Sequence, residues 1–220
     1  MSLAVGATPE GRGYRVFHLS MLLVAALALG TIVVAAGMGV WYRLSPDSRV
    51  SGVRQIAGGS SVAGGSSLII RGDDGIELKY VAAGLPVGHV VSLRAEIFNH
   101  PENCRHGERG SRCGAADLGD AAVDGSVVYL SSVWVRQRAS IPMDVKVAKG
   151  DGARAVLGGG LTNPRGADVH GVLMDHGAPA AGQYAQLVGT LGGGCKSPPY
   201  AAGTAGSLDC ADLQYANHDR

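Results

Sequence analysis

Aromatic side chains are scarce in this 220-residue chain, at 5% of it, and so is charge, at 17% against a norm of about 25%. Neither sign of charge is in excess: 19 Lys and Arg against 18 Asp and Glu leave a net charge of +1. That balance argues against a basic nucleic-acid-binding face and against an acidic disordered tail. No Cys-x-x-Cys pair, Cys-x-x-Cys-His or Gly-x-Ser-x-Gly elbow occurs. Their absence removes zinc-ribbon cysteines, covalent haem attachment and the α/β-hydrolase nucleophile. Gly58-Gly59 and Gly158-Gly159-Gly160 lack the Lys-Ser/Thr or strand–helix context that a phosphate loop requires. What the chain does have is 35 Gly and a 46% apolar content. So much apolar residue excludes disorder, and so much Gly with so few aromatics favours short strands joined by many turns over long helices.

One long hydrophobic run is present. From Leu19 to Tyr42 no residue is charged. As a helix rising roughly 1.5 Å per residue, the run reaches about 36 Å, enough to cross a hydrocarbon core of about 30 Å. Tyr14 and Phe17 before it, and Trp41 and Tyr42 at its end, stand where interfacial aromatics belong. The run exceeds the roughly 7–15 residues of a signal-peptide core, so a retained anchor over 19–42 is expected, after an N-terminal tail, 1–18. Ala26, Gly30, Val33 and Gly37 put small side chains on one helical face, suited to close packing against a second membrane helix.

Arginines flank the run on both sides (Arg12 and Arg15; Arg43, Arg49 and Arg54), so charge does not orient it. The cysteines do. Cys104, Cys113, Cys195 and Cys210 all follow the run, an even number without metal-type spacing, which reads as two disulfides in an oxidising compartment. Three pairings are possible in principle. Cys104–Cys113 and Cys195–Cys210 are expected, because each local pair ties down an otherwise coreless segment. The N-terminus is then cytoplasmic and the remainder periplasmic or otherwise extracytoplasmic, on a bacterial inner (cell) membrane.

The doubled Gly-Gly-Ser-Ser within 43–67 has linker composition. Beyond it the hydrophobic period becomes two, and strands are expected at 67–71, 76–82, 90–99, 126–135, 143–147, 153–157, 167–174 and 184–191. Turn chemistry separates them, including Gly72-Asp73-Asp74-Gly75 and Asn163-Pro164-Arg165-Gly166. Repeated strands without helices between them predict a mainly β fold, an antiparallel Greek-key-like β-sandwich over 68–195. A C-terminal extension, 196–220, follows, tied on by a disulfide. Leu93, Ala95, Ile97, Val128, Leu130 and Val133 are the expected core, with Trp134 as its anchor.

Several stretches carry a family resemblance: Gly84-Leu85-Pro86-Val87-Gly88-His89, Phe98-Asn99-His100-Pro101-Glu102-Asn103-Cys104, and Cys113-Gly114-Ala115-Ala116-Asp117-Leu118. The run from Gly160 to His170, then Asp175-His176-Gly177 and Cys195, continues it. Over roughly 68–195 the chain resembles an uncharacterised family of exported bacterial β-sandwich proteins. That family is more loosely similar to CHRD domains and to the sandwich of copper–zinc superoxide dismutases. The resemblance implies a sandwich with histidine-bearing strands. It does not bring dismutase activity, because that copper site uses a His-x-His pair and none occurs here.

Asp168, His170, Met174 and His176 are the best metal candidates, since alternate residues of a strand share a face. His170 and His176 would nevertheless lie about 20 Å apart on an ideal strand unless the chain turns after Met174. Ordinary structural roles, a turn cap for His176 and a carbonyl bond for His170, are the competing reading. His89, His100 and His106 are reserves, and the arginines around His106 disfavour a cation. The Arg105–Arg112 loop reads as a solvated surface or a docking patch for an acidic partner. The expected role is therefore a membrane-anchored, non-catalytic accessory subunit docked on a larger bacterial membrane complex, photosynthetic or respiratory. Its partners would be the lipid bilayer and other membrane subunits, without nucleic acid or cofactor. The alternative is a copper- or zinc-binding, superoxide dismutase-like protein.

Overall fold

The computed structural model describes residues 32–34, 41–43, 47–137 and 140–220 and divides into two units, 1–46 and 47–220. In the first unit β1 (Ile32–Val34) pairs antiparallel with β2 (Trp41–Arg43). The rest of the expected membrane span, with Tyr14, Phe17, Ala26, Gly30 and Gly37, lies outside the described residues. Among the described residues no helix is long and apolar enough to cross a membrane.

The second unit is built on β3 (Ser48–Gln55), β4 (Ser61–Arg71), β5 (Gly75–Ala82), β6 (Val90–Phe98), β7 (Gly125–Trp134), β8 (Ile141–Ala148), β9 (Ala155–Leu157), β10 (Asp168–Gly177) and β11 (Ala211–His218). They form one nine-stranded sheet in the order β8-β5-β4-β3-β11-β10-β6-β7-β9, with every neighbouring pair antiparallel. The sheet curls into a half-barrel, where two facing sheets were expected. Its inner face supplies the main core: Leu78 and Tyr80 of β5, Leu93, Ala95 and Ile97 of β6, Val128 and Leu130 of β7, and Val169 and Leu173 of β10. The expected core residues are thus buried or, for Val133, packed against the core. Trp134 departs from expectation. It ends β7 on the outer face, 40% exposed, where Tyr184 rather than the core meets it.

A curled sheet still has an outer face, and here it is partly covered. All nine residues of β6 are buried, including the outward-facing Ser92, Arg94 and Glu96. The cover comes from two long excursions, 99–124 after β6 and 178–210 after β10. Together with the sheet they form a second apolar cluster of Phe98, Cys113, Leu118, Val123, Val127, Met174, Leu191 and Cys195. Each excursion carries one expected cystine, Cys104–Cys113 and Cys195–Cys210.

Three expectations are corrected. The stretch read as a linker, 43–67, contributes β3 and the start of β4. Gly and Ser suffice there because a ladder is made by the backbone, while Val53 and Val62 point inward to the core and Val50 is exposed. The expected C-terminal extension contains β11, which lies in mid-sheet between β3 and β10. The strand expected at 184–191 is instead a single helical turn, Tyr184–Leu187, within the second excursion.

Candidate functional site

The polar residues of interest gather on the outer face, between the sheet and the two excursions. β10 places Asp168, His170, Met174 and His176 on that face, at spacings of two, four and two residues along one strand that does not turn after Met174. At roughly 3.3 Å per residue this strings them over about 26 Å, and each has its own surroundings.

Asp168 is fully buried and accepts hydrogen bonds from Arg112 Nε at 2.7 Å, Arg112 Nη2 at 3.0 Å and the Arg220 backbone N–H at 2.6 Å. A guanidinium therefore stands where a metal would have to sit. The bond to Asp168 raises the Arg112 pKa, against a smaller opposing effect of burial. Beside this pair, the Ser111 hydroxyl donates to Asp219 Oδ1 at 2.7 Å and lies 2.9 Å from His170 Nε2. With its proton on Asp219, the serine can only accept from His170, so Nε2 carries a hydrogen and cannot serve as a base toward Ser111. Serine, imidazole and carboxylate meet here in an order that fastens the loop and the C-terminus rather than activating a nucleophile. Burial alone would raise the Asp219 carboxyl, but the bonds from His170 and Ser111 and the nearby cations hold it below the usual range. The loop itself hangs on Asp117, which accepts from the backbone N–H groups of Arg105 (3.0 Å), His106 (3.1 Å) and Gly114 (3.0 Å). The Arg105–Arg112 loop is thus pinned through Asp117 and Arg112, and Arg109 lies over the Tyr215 ring at 5.6 Å. It is less free than a solvated surface.

A second cluster centres on Arg94, 3% exposed. Its guanidinium donates to Glu96 Oε1 at 3.0 and 2.8 Å and to the two oxygens of Asp212 at 2.6 and 2.8 Å. Tyr200, from the second excursion, donates to Glu96 Oε1 at 3.3 Å, with the guanidinium 5.8 Å from its ring centroid. Burial, then the charge of Glu96, pushes the Tyr200 phenol up to about 12. The alternation Ser92-Leu93-Arg94-Ala95-Glu96 shows these charges facing away from the core. Nothing in the sequence shows that another segment covers them.

The third cluster surrounds His176. Its Nδ1 donates to the Gly193 carbonyl at 3.1 Å, leaving Nε2, 2.6 Å from Ser92 Oγ, to accept that hydroxyl's proton. Burial lowers the His176 pKa, so the ring is neutral. From Ser92 the hydroxyls continue to Ser132 at 2.7 Å and to Tyr129 at 2.8 Å. The sulfurs of Cys195 and Cys210 lie 3.7 and 3.9 Å from Nδ1. Among the described residues, His176, Cys195 and Cys210 are the grouping whose potential ligand atoms converge, all within 4.8 Å of one another. Of the four expected metal ligands only His176 belongs to it, and Met174 packs in the apolar cluster that contains Cys195. The reserve histidines are elsewhere: His89 bonds Asp175 at 2.8 Å, His100 lies 3.4 Å from Glu102, and His106 is exposed.

No family model, no curated protein and no solved structure matches this chain.

Proposed function

We propose that the half-barrel is a non-catalytic docking module, held on the extracytoplasmic side of a bacterial membrane by the uncharged apolar run 19–42 and serving a larger membrane complex. The observation that carries this reading is the contrast between the closed outer-face clusters and one open aromatic pair. Ser111, Arg94, Glu96, Asp168, His170 and His176 are buried and bonded to neighbours within the fold. Trp134 and Tyr184, by contrast, are 40% and 43% exposed with ring centroids 5.7 Å apart, and the Arg136 guanidinium lies 5.1 Å from the Trp134 ring. Exposed Trp, Tyr and Arg are the side chains from which protein interfaces draw most of their energy. The two cystines support an oxidising compartment. The resemblance of several sequence stretches to an exported bacterial family is consistent with the same placement.

The superoxide dismutase-like alternative needs several histidines around one ion. His89, His100, His170 and His176 each keep separate company here. Extraction of the full chain in mild detergent followed by native sizing tests the docking role. We expect a stable larger assembly that Trp134→Ala or Tyr184→Ala dissociates; a monodisperse lone chain overturns the reading.

A further inference from the structure

We propose that His176, Cys195 and Cys210 are a latent site for a thiophilic d10 cation, Zn2+ or Cu+, closed by the disulfide and opened when a dithiol reduces it. The inference is independent of the docking role. In a tetrahedral site with metal–sulfur bonds of about 2.3 Å and metal–nitrogen bonds of about 2.0 Å, ligand atoms stand roughly 3.5–3.8 Å apart. His176 Nδ1 already lies 3.7 Å from Cys195 Sγ and 3.9 Å from Cys210 Sγ. Only the two sulfurs have to part.

The surroundings of the imidazole suit ligation as well. A metal-bound histidine donates its other ring N–H to an oxygen, which fixes the tautomer. Ser92 Oγ is 2.6 Å from Nε2 and belongs to a chain of hydroxyls, Ser92, Ser132 and Tyr129, that can reverse its direction. In the cystine form Nδ1 carries the proton and gives it to Gly193. In the metal form Nε2–H gives to Ser92 and Nδ1 is free to bind. Both states keep the ring hydrogen-bonded within the same packing. His176 and Cys195 are fully buried, while Cys210 is partly exposed and offers the way in for both reductant and ion.

The chemistry balances. The dithiol delivers two electrons and two protons to the cystine, giving two protein thiols and its own cyclic disulfide. Binding the ion then releases those two protons as the sulfurs become thiolates. Exchange with a disulfide oxidant, which takes the two electrons and two solvent protons to become a dithiol, re-forms the cystine and expels the ion. Cys104–Cys113 is the internal control, since among the described residues no such convergent group includes it; its Sγ neighbours are the Pro101 carbonyl and Asp168, the latter occupied by Arg112.

The experiment uses the full chain in detergent, reduced with dithiothreitol, desalted under argon and titrated separately with Zn2+ and with Cu+ against a chromophoric chelator. We expect one ion per reduced chain and none per oxidised chain, with the preferred ion emerging from the two titrations. Ser92→Ala should weaken binding about 10- to 100-fold, His176→Ala at least as much, and Cys195→Ser should abolish it. The double variant Cys104→Ser/Cys113→Ser should bind as wild type. Circular dichroism of each reduced protein establishes that it is folded. No uptake by the folded, reduced chain overturns the proposal. So does uptake that survives His176→Ala or persists in concentrated urea, either of which marks unorganised thiol binding.

Discussion

The Tyr80 ring of β5 lies against Gly171 in β10, two strands that are not neighbours in the sheet. A Cβ at position 171 would come within 3.2 Å of Tyr80 Cδ2 and 3.3 Å of Cε2. The contact exists because the sheet curls, and the glycine makes room for it. Gly171→Val should therefore cost about 1–3 kcal/mol by overpacking, read as a lower urea midpoint. Tyr80→Phe should act differently. The Tyr80 hydroxyl is buried without a hydrogen-bond partner, so removing it should leave stability unchanged or raise it by about 1 kcal/mol. A clear loss would mean that the hydroxyl is bonded inside the barrel.

Arg94 neutralises one of the two carboxylates that grip it, Glu96 and Asp212. Replacing it with Met leaves Glu96, 1% exposed, as an uncompensated buried charge. Removing one partner of a buried pair costs about 3–5 kcal/mol. Arg94→Met should show a loss of that order in chemical denaturation. The double variant Arg94→Met/Glu96→Gln should recover part of it, because the second change removes the stranded charge. A double variant no more stable than the single one would show that packing, not charge, sets the cost.

The half-barrel's strands were legible where apolar and polar residues alternate, as in Ile76, Leu78, Tyr80 and Ala82. The same alternation serves a sandwich and a curled sheet equally, so the closure was not legible. It depends on Gly171 admitting Tyr80, a contact between residues far apart in the chain. β11 was missed because its inward positions include Gln214 and His218, polar residues that bond the Ala83 carbonyl and Ser67. An inward face written in such residues does not read as a strand. At the site, the cystines and His176 could be picked out from residue type. Ser92, Arg112 and Asp219 could not, since their roles come from pairings across 84, 56 and 108 residues of chain.

Each cystine fastens one excursion over the outer face, with sequence separations of 9 and 15. On chain entropy alone the smaller loop contributes about 2.6 kcal/mol and the larger about 3.0 kcal/mol. Cys195→Ser/Cys210→Ser should thus lower stability more than Cys104→Ser/Cys113→Ser, measured by urea denaturation of the two double variants. The reverse order would show that the pinning of the first loop through Asp117 and Arg112 depends on its cystine.

His218 supplies the sharpest pH dependence. Its Nε2 lies 2.8 Å from Ser67 Oγ inside the half-barrel, and burial, then the positive charge of Arg71, holds its pKa at about 3. The unfolded chain takes up this proton near pH 6.5, so between roughly 6.5 and 3 it binds more protons than the folded one. Stability is therefore complete above pH 6.5 and falls as the pH drops through that window, by roughly 1.4 kcal/mol per unit. His176, whose pKa burial also lowers, acts in the same direction. Urea midpoints at pH 7.5, 5.5 and 4.5 should decline steadily. Because His218→Gln cannot gain the proton, its slope over that range should be shallower, even where its stability at pH 7.5 is lower through the altered bond to Ser67. An unchanged slope in that variant would remove His218 as the cause.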